Sequence, residues 1–536
     1  MRTLGLARNV NSSLVELLPP AFSSVLLTVA VTRDGAHALA WVALVPLAWL
    51  STCSRLTSLS YAATLVAGAS FHYFGMDWLR DSGNYGLSSS WSKVVWSVLS
   101  AFFLGSSWII AVSATAEFYN RLKLTRWGSF GLAWVLGEFV RWHMAAILAE
   151  TGFPWLQIAM TQVHHDGLLQ VSDLGGAWLI SGVVASVNGL WLDLFECARQ
   201  ARSSPSVACW RSIVAAIVVF ALLAMYGACR LSQTQPAAGP CVWLMPRNTF
   251  TDSEQTITES ISRLKRYSPS PDILLWPEWA LPRPIILDHL RTDCSLSPLQ
   301  NYAAEEAVAL IIGFNRREST SSESRSFNSV LIVDPLRQSC DWYDKISLVP
   351  WHEFMPWLSW PGTARPRIEF GHGSECAVHP VWCATRRRDY SVAVTICFDT
   401  CFPSVHRKCF RGSRKPDLFA ECSSERFDVT MRGQSTLLAH ARLRAVECRR
   451  AIVRNVYYGN SAVIDGNGEV RFLAHEHTLT EPVCAGRIPI DDRFSLYVWT
   501  GDWLPWSALV VWLYCMVQPI LIWTRLEEAR LELGRT

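Results

Sequence analysis

The run Ser391-Val392-Ala393-Val394-Thr395-Ile396-Cys397-Phe398-Asp399 is apolar or β-branched through Ile396 and then stops on a cysteine. A segment that is apolar on both faces suits a strand in the interior of a covered sheet. Comparable runs recur at 241–246, 272–276, 307–314, 328–334, 416–420 and 460–465, bounded by Pro, Gly, Ser and Asp. Segments of helical character lie between them, at 252–266, 298–309 and 431–454. Strands alternating with helices predict an α/β layered domain around a buried sheet.

Three polar residues stand where such strands end. Glu278 follows Ile273-Leu274-Leu275-Trp276-Pro277, Lys345 closes Asp341-Trp342-Tyr343-Asp344, and Cys397 closes the run above. Strand ends are where layered α/β domains place their ligand-binding groups. Taken singly, a cysteine in an apolar strand is ordinarily a small core residue, and a lone Glu or Lys there is ordinarily a solvated terminus. Together they form a chemical set. An ammonium stabilises a thiolate nucleophile, and a carboxylate can take the thiol proton and later activate a second nucleophile. The lysine, with the backbone N–H after the cysteine, can hold a tetrahedral oxyanion.

Outward from this domain the composition changes. Half of the 536 residues are hydrophobic, 17% are charged and 26 are Trp, an apolar balance that a soluble domain does not carry. Windows of bilayer-spanning length fall near 16–32, 35–52, 59–78, 92–116, 128–148, 174–195 and 212–231, with another near 505–524. The predicted organisation is a membrane domain of about seven spans (1–231), a globular domain (232–504) and a last span with a tail (505–536). No small-residue cleavage site follows the first apolar run, so no cleaved signal peptide is expected. With a cytoplasmic N-terminus bearing Arg2 and Arg8, loops on that side carry Arg55, then Arg121, Lys123 and Arg126, then Arg199, Arg202 and Arg211. The tail on the same side adds Arg525, Arg530 and Arg535. The short loops opposite carry Arg33 and Arg80. This positive-inside bias predicts that 232–504 lies outside the cytoplasm and that both termini lie within it.

Glu138, Arg141, His143 and Asp173 sit in or beside spans, where lipid exposure is costly. They either pair between helices, as Glu138 with Arg141 at i,i+3, or handle substrate. Thr151-Gly152-Phe153-Pro154-Trp155-Leu156-Gln157 is a loop whose aromatics suit an interface anchor or a lipid entrance.

The net charge of +3 gives no sign of a nucleic-acid partner. No glycine-rich nucleotide fingerprint and no paired Cys-x-x-Cys is present, so neither cofactor nor metal is expected. His475 and His477 read as part of a polar loop, and Ser319–Ser326 as a flexible one. Eleven of the 16 cysteines fall in the globular region, enough for up to five bridges with Cys397 left free. Cys401 is either a silent buried thiol or a partner that would inactivate Cys397.

The words around the three polar residues resemble the nitrilase superfamily, which uses a Glu–Lys–Cys triad on an α-β-β-α sandwich. They are Leu275-Trp276-Pro277-Glu278, Tyr343-Asp344-Lys345 with Leu348-Val349-Pro350, and Ile396-Cys397-Phe398-Asp399. Arg444-Ala445-Val446-Glu447, Arg454-Asn455 and Ser461-Ala462-Val463-Ile464-Asp465 look like that family's helix and following strand. With the spans, and with Trp41-Val42-Ala43-Leu44-Val45-Pro46-Leu47, Gly152-Phe153-Pro154-Trp155 and Gly501-Asp502-Trp503, the chain resembles the apolipoprotein N-acyltransferase family. The resemblance implies an eight-span α-helical bundle plus a nitrilase-like domain, in a bacterial inner membrane with the catalytic domain periplasmic. It implies transfer of an acyl chain from a phospholipid, through a Cys397 thioester, to the amine of a diacylglyceryl-cysteine on an apolipoprotein. Glu278 is then the base and Lys345 the oxyanion partner. Glu353 adds a carboxylate that either holds Lys345 or moves a proton, and Phe398 and Asp399 support the pocket. The family more often has Tyr then Glu after the nucleophile, and the stretch Cys422–Phe427 departs from its Ser-Asn-Asp and aromatic pair. A membrane-anchored amidase sharing the triad and a non-catalytic lipid-binding protein are the alternatives.

Overall fold

The computed structural model describes residues 12–533 apart from 34, 54, 77–89, 202–206, 234–237, 250–270, 282–283, 287–295, 320–323, 338–339, 358–367, 377, 426–430 and 475–478. The predicted helix at 252–266 and the pair His475 and His477 lie outside the described residues, as do Arg2, Arg8, Arg80, Arg202 and Arg535 and the middle of the 319–326 loop.

Helices occupy every apolar window. They run Ser12–Thr32, Val45–Cys53, Ser58–Gly75, Ser90–Asn120, Arg126–Ala149, Ser172–Ala201, Val207–Ser232 and, after the globular region, Trp503–Leu533. Among the described residues, Ser13–Thr32, Ser97–Asn120, Ser172–Gln200 and Trp210–Ser232 are long and apolar enough to cross a membrane. Val214, Ile217, Val218, Leu222 and Met225 on the last of these expose large apolar side chains outward, as a lipid-facing helix would. The protein is a membrane protein.

The globular region contains two sheets. The first has strands β1 (Ala238–Leu244), β2 (Ile273–Leu275), β3 (Ile285–Ile286), β4 (Ala309–Ser319), β5 (Ser324–Val333) and β6 (Cys340–Asp344). It is completed by β13 (Val483–Pro489), in the order β13-β1-β2-β4-β5-β6 with β3 beside β4. The second has β7 (Val378–Cys383), β8 (Arg388–Ile396), β9 (Leu418–Ser424), β10 (Ala451–Tyr457), β11 (Ser461–Ile464) and β12 (Val470–Ala474), in the order β12-β11-β10-β9-β8-β7.

Side chains alternate across each strand, and that alternation builds the layers. Val242, Leu244, Ile273, Leu275 and Ile311 of the first sheet meet Val392, Val394, Ile396, Leu418 and Val453 of the second in one buried core. On the opposite face of the first sheet, Trp243, Leu274, Trp276 and Leu310 pack on Leu299, Tyr302 and Ala303 of the Ser297–Glu306 helix. On the opposite face of the second, Ala393, Phe419 and Ile452 pack on Ala441, Ala445 and Cys448 of the Met431–Cys448 helix. The result is an α-β-β-α sandwich. The predicted helix at 431–454 runs too far: Arg449 takes a left-handed φ of 52°, and the chain re-enters the sheet as β10.

The two regions are tied by buried polar contacts. Arg449 sits 2.6 Å from Asp173, and Arg230 reaches the same carboxylate at 2.8 Å. The Ser172–Ala201 helix breaks at Gly175 and Gly176, and a Cβ on Gly176 would lie 2.5 Å from the Tyr497 ring. Past the break the helix restarts, and Ala177 N–H donates to Glu447 at 3.0 Å. A carboxylate is favoured at such a helix start. Trp178 donates to Asp502 at 2.8 Å, which places the Gly501-Asp502-Trp503 word at this junction.

Candidate active site

β1, β2 and β4 run parallel to one another, as do β8, β9 and β10. Glu278 follows the carboxyl end of β2 and Cys397 that of β8. Lys345 follows β6 at the far side of the first sheet. The fold brings Glu278, Lys345 and Glu353 into direct contact. Lys345 Nζ lies 2.9 Å from Glu353 and 3.5 Å from Glu278 Oε1. The exposures of Glu278, Lys345, Glu353 and Cys397 are 2, 1, 2 and 3%, so these charges act in a low-dielectric setting where pairing counts.

Asn328, inside β5, is a residue that the sequence reading did not single out. Its amide donates to Glu278 at 2.6 Å and to Glu353 at 2.8 Å, bridging the two carboxylates. Its carbonyl accepts the Lys345 backbone N–H at 2.8 Å. Val349 N–H donates to the other Glu353 oxygen at 2.8 Å, so Glu353 is held at both ends. Gly313 lies beneath the Glu278 turn. A Cβ there would strike the Pro277 carbonyl oxygen and come within 2.7 Å of Glu278 Cα. Gly313→Ala is therefore expected to cost ~1–3 kcal/mol through overpacking, measured as a lowered Tm with coincident loss of activity.

Cys397 leaves the strand with a φ of 47°, outside the usual range for a residue with a Cβ. Its thiol donates weakly to the Ser424 carbonyl at 3.7 Å. The 3-10 turn Cys397–Cys401 is anchored by buried Asp399. That carboxylate accepts from Tyr343 Oη at 2.8 Å, Ser347 N–H at 2.8 Å and Ile396 N–H at 3.1 Å. Asp399 thereby ties the Cys397–Cys401 turn to the segment carrying Lys345. Burial pushes its carboxyl up to about 6, against the pull of the Lys345 charge and these donors.

The resting charge state differs from the sequence expectation of a lysine-stabilised thiolate. Burial pushes the Cys397 thiol well above its ordinary range, the Glu278 carboxylate adds to this, and Lys345 offsets part of it. The reason is that the ammonium is already shared. Burial works against the Lys345 charge, but Glu353 and Glu278 hold it above the usual lysine range. Two carboxylates and one ammonium leave a net charge of −1, and a thiolate would add another. Glu278 is itself raised, first by burial and then by Glu353, against Lys345 and the Asn328 amide. Burial thus raises the Cys397 thiol next to a carboxylate that is itself raised.

The 151–157 segment packs onto this site. Trp155 stacks on Phe398 with ring centroids 5.9 Å apart, and Phe398 meets Phe402, which in turn meets Trp142. Met76, Phe153 and Leu156 complete the cluster. Glu138 and Arg141 do not use each other as their hydrogen-bond partners. Glu138 accepts from Ile158 N–H at 2.8 Å, and Arg141 donates to the Trp155 carbonyl at 3.1 Å and meets the His72 ring at 3.0 Å. Both clamp the segment against the nucleophile's turn. Cys376 and Cys409 form a disulfide. Cys401 is buried with a free thiol, which agrees with the silent alternative.

A layered sandwich with a buried Glu–Lys–Cys set is the arrangement of a carbon-nitrogen hydrolase, and the carbon-nitrogen hydrolase model matches residues 238–492. The model for the apolipoprotein N-acyltransferase N-terminal domain matches residues 23–190. The chain is 25% identical over 519 residues to the apolipoprotein N-acyltransferase of Geobacter metallireducens, covering 92% of this chain and 93% of that one. It is 27% identical over 456 residues to the Pseudomonas putida protein of the same name, covering 82% and 83%. A CN-hydrolase superfamily protein of Xanthomonas campestris aligns at a TM-score of 0.35 and 19% identity, over 47% of this chain and 91% of that one. By both models and these relatives the chain is similar to the apolipoprotein N-acyltransferases over most of its length, and it is an N-acyltransferase of the membrane that acts on lipoproteins.

Proposed function

We propose that the protein takes an acyl chain from a phospholipid onto Cys397 and passes it to the α-amine of a diacylglyceryl-cysteine on an apolipoprotein. The observation that carries this is that the turn beginning at Cys397, beside the charged Glu278–Lys345–Glu353 cluster, carries Phe398 and Phe402 against Trp142, Phe153 and Trp155 of the N-terminal region. A hydrolase of small polar amides has no use for such an aromatic cluster, whereas an acyl chain does.

In the first half-reaction Glu278 takes the thiol proton as sulfur attacks the ester carbonyl. Lys345 and the Phe398 backbone N–H hold the oxyanion. Collapse expels the lysophospholipid alkoxide, which leaves with the proton from Glu278, and a thioester remains. In the second, Glu278 takes a proton from the attacking amine and the thiolate departs, regaining that proton as the amide forms. Deprotonation at the moment of attack avoids a standing thiolate, which suits the raised pKa of the resting thiol. Glu353 and Asp399 act by holding Lys345 and the nucleophile's turn. We further read the eight helices as spans around a domain at 232–504, placed on the periplasmic side of the inner membrane with both termini cytoplasmic.

The test uses detergent-solubilised protein and a phospholipid with a labelled acyl chain. A hydroxylamine-labile adduct should form and should discharge onto a diacylated lipopeptide faster than into water. Discharge into water alone would favour the amidase reading. The pH profile gives a second check. The Asn328 amide stabilises the ionised form of Glu278, so Asn328→Ala raises its pKa and the base form is lost at higher pH. The acid limb of kcat/KM should move upward, and a fall in rate with an unmoved limb would remove Asn328 from this role.

A further inference from the structure

The geometry points to Arg247 as the residue that binds the phosphodiester of the acyl donor, an inference that rests on the phospholipid reading above. Arg247 follows β1 at its carboxyl end, the same edge of the sheet on which Glu278 follows β2. Its Nε donates to the Trp279 carbonyl at 3.2 Å, one residue beyond Glu278. Its guanidinium carbon lies 4.5 Å from the centre of the Tyr457 ring. The Tyr457 carbonyl accepts from Glu425 N–H at 2.9 Å, and Glu425 follows Ser424, whose carbonyl faces Cys397. Arg247 thus contacts the residue next to Glu278 on the base side, and on the other side it connects to Cys397 through Tyr457, Glu425 and Ser424.

Among the described residues this guanidinium has no carboxylate partner, unlike the buried arginines Arg444, Arg449 and Arg454. Nε and the ring fix its plane, and both terminal nitrogens remain available. A planar fork fixed in this way matches two phosphate oxygens. The charge of the site makes such a group necessary. Glu278, Glu353 and Lys345 together carry −1, which repels an anionic donor. A phospholipid carries its phosphodiester a few glycerol atoms from the ester carbonyl that Cys397 attacks. Attraction at Arg247 offsets that repulsion and sets which ester faces the sulfur. Neutral esters would feel neither effect.

The test compares thioester formation from phosphatidylglycerol and from diacylglycerol, in the same mixed micelles, with wild type, Arg247→Gln and Arg247→Lys. Loss of a charge-assisted pair should raise the phospholipid KM of Arg247→Gln by about ten- to a hundredfold more than it changes the diacylglycerol KM. Arg247→Lys should recover part of it. Diacylglycerol turnover reports that the variant is folded. An equal effect on both donors, or none, would overturn the assignment. Competitive inhibition of wild type by inorganic phosphate that weakens in Arg247→Gln would support it, since the same fork would hold the free anion. Failure of wild type to form a thioester from either donor would instead defeat the underlying reading.

Discussion

Cys397→Ser is expected to give a folded protein that forms no acyl adduct and transfers acyl chains roughly 10⁴-fold more slowly, the scale seen when one member of a catalytic set is removed. The fold should survive because the site is conservative in shape. Cys397 is buried and its thiol makes a weak hydrogen bond to the Ser424 carbonyl, which a serine hydroxyl can also make. The chemistry should not survive. A buried thiol beside a carboxylate of raised pKa differs from its base by far less than an alcohol would. Serine enzymes meet that gap with a histidine base, whereas here the group in that place is the Glu278 carboxylate. The measurement is gel detection of a labelled, hydroxylamine-labile adduct, together with a thermal melt. A wild-type adduct in Cys397→Ser would remove this sulfur from the mechanism, whatever the melt shows.

The three residues stood out because Glu278 and Cys397 follow apolar runs, and because the words around Glu278, Lys345 and Cys397 together resemble those of the nitrilase superfamily. Asn328 did not. It lies within β5, where a polar residue facing the interior looks like one facing solvent until the register with β6 is known. That register sets Ser329 opposite Asp344 and lets the Asn328 carbonyl take the Lys345 N–H. The polar pair Asn328-Ser329 inside an apolar strand was the available signal. Strands β7, β12 and β13 were missed for a related reason: their residues alternate with half-exposed ones or sit at sheet edges, so no continuous apolar run marks them. β10 was absorbed into a helix because Arg449, which ends that helix, is neither Gly nor Asn. In the membrane half the windows located the helices. What they could not give was the use of Glu138 and Arg141, since pairing at i,i+3 is a local rule and their actual partners lie on the 155–158 segment.

Lys345→Met should be the most damaging change to stability and should also slow transfer. Removing one partner of a buried ion pair leaves charge uncompensated and typically costs about 3–5 kcal/mol. Here the lysine serves two carboxylates, each nearly inaccessible to water. The variant should relieve part of that cost by binding a proton between Glu278 and Glu353, so its Tm should improve as pH falls, relative to wild type. Loss of an oxyanion donor would separately lower transfer by about 10²–10³-fold. The two effects separate in the double variant Lys345→Met with Glu353→Gln. One carboxylate is then gone, the other retains the Asn328 amide, and much of the lost stability should return. The rate should not, because the ammonium that would meet the developing oxyanion is gone. Recovery of both Tm and transfer in the double variant would reduce Lys345 to a counter-ion for its neighbours. Recovery of the Tm alone would leave oxyanion stabilisation as its contribution to the rate.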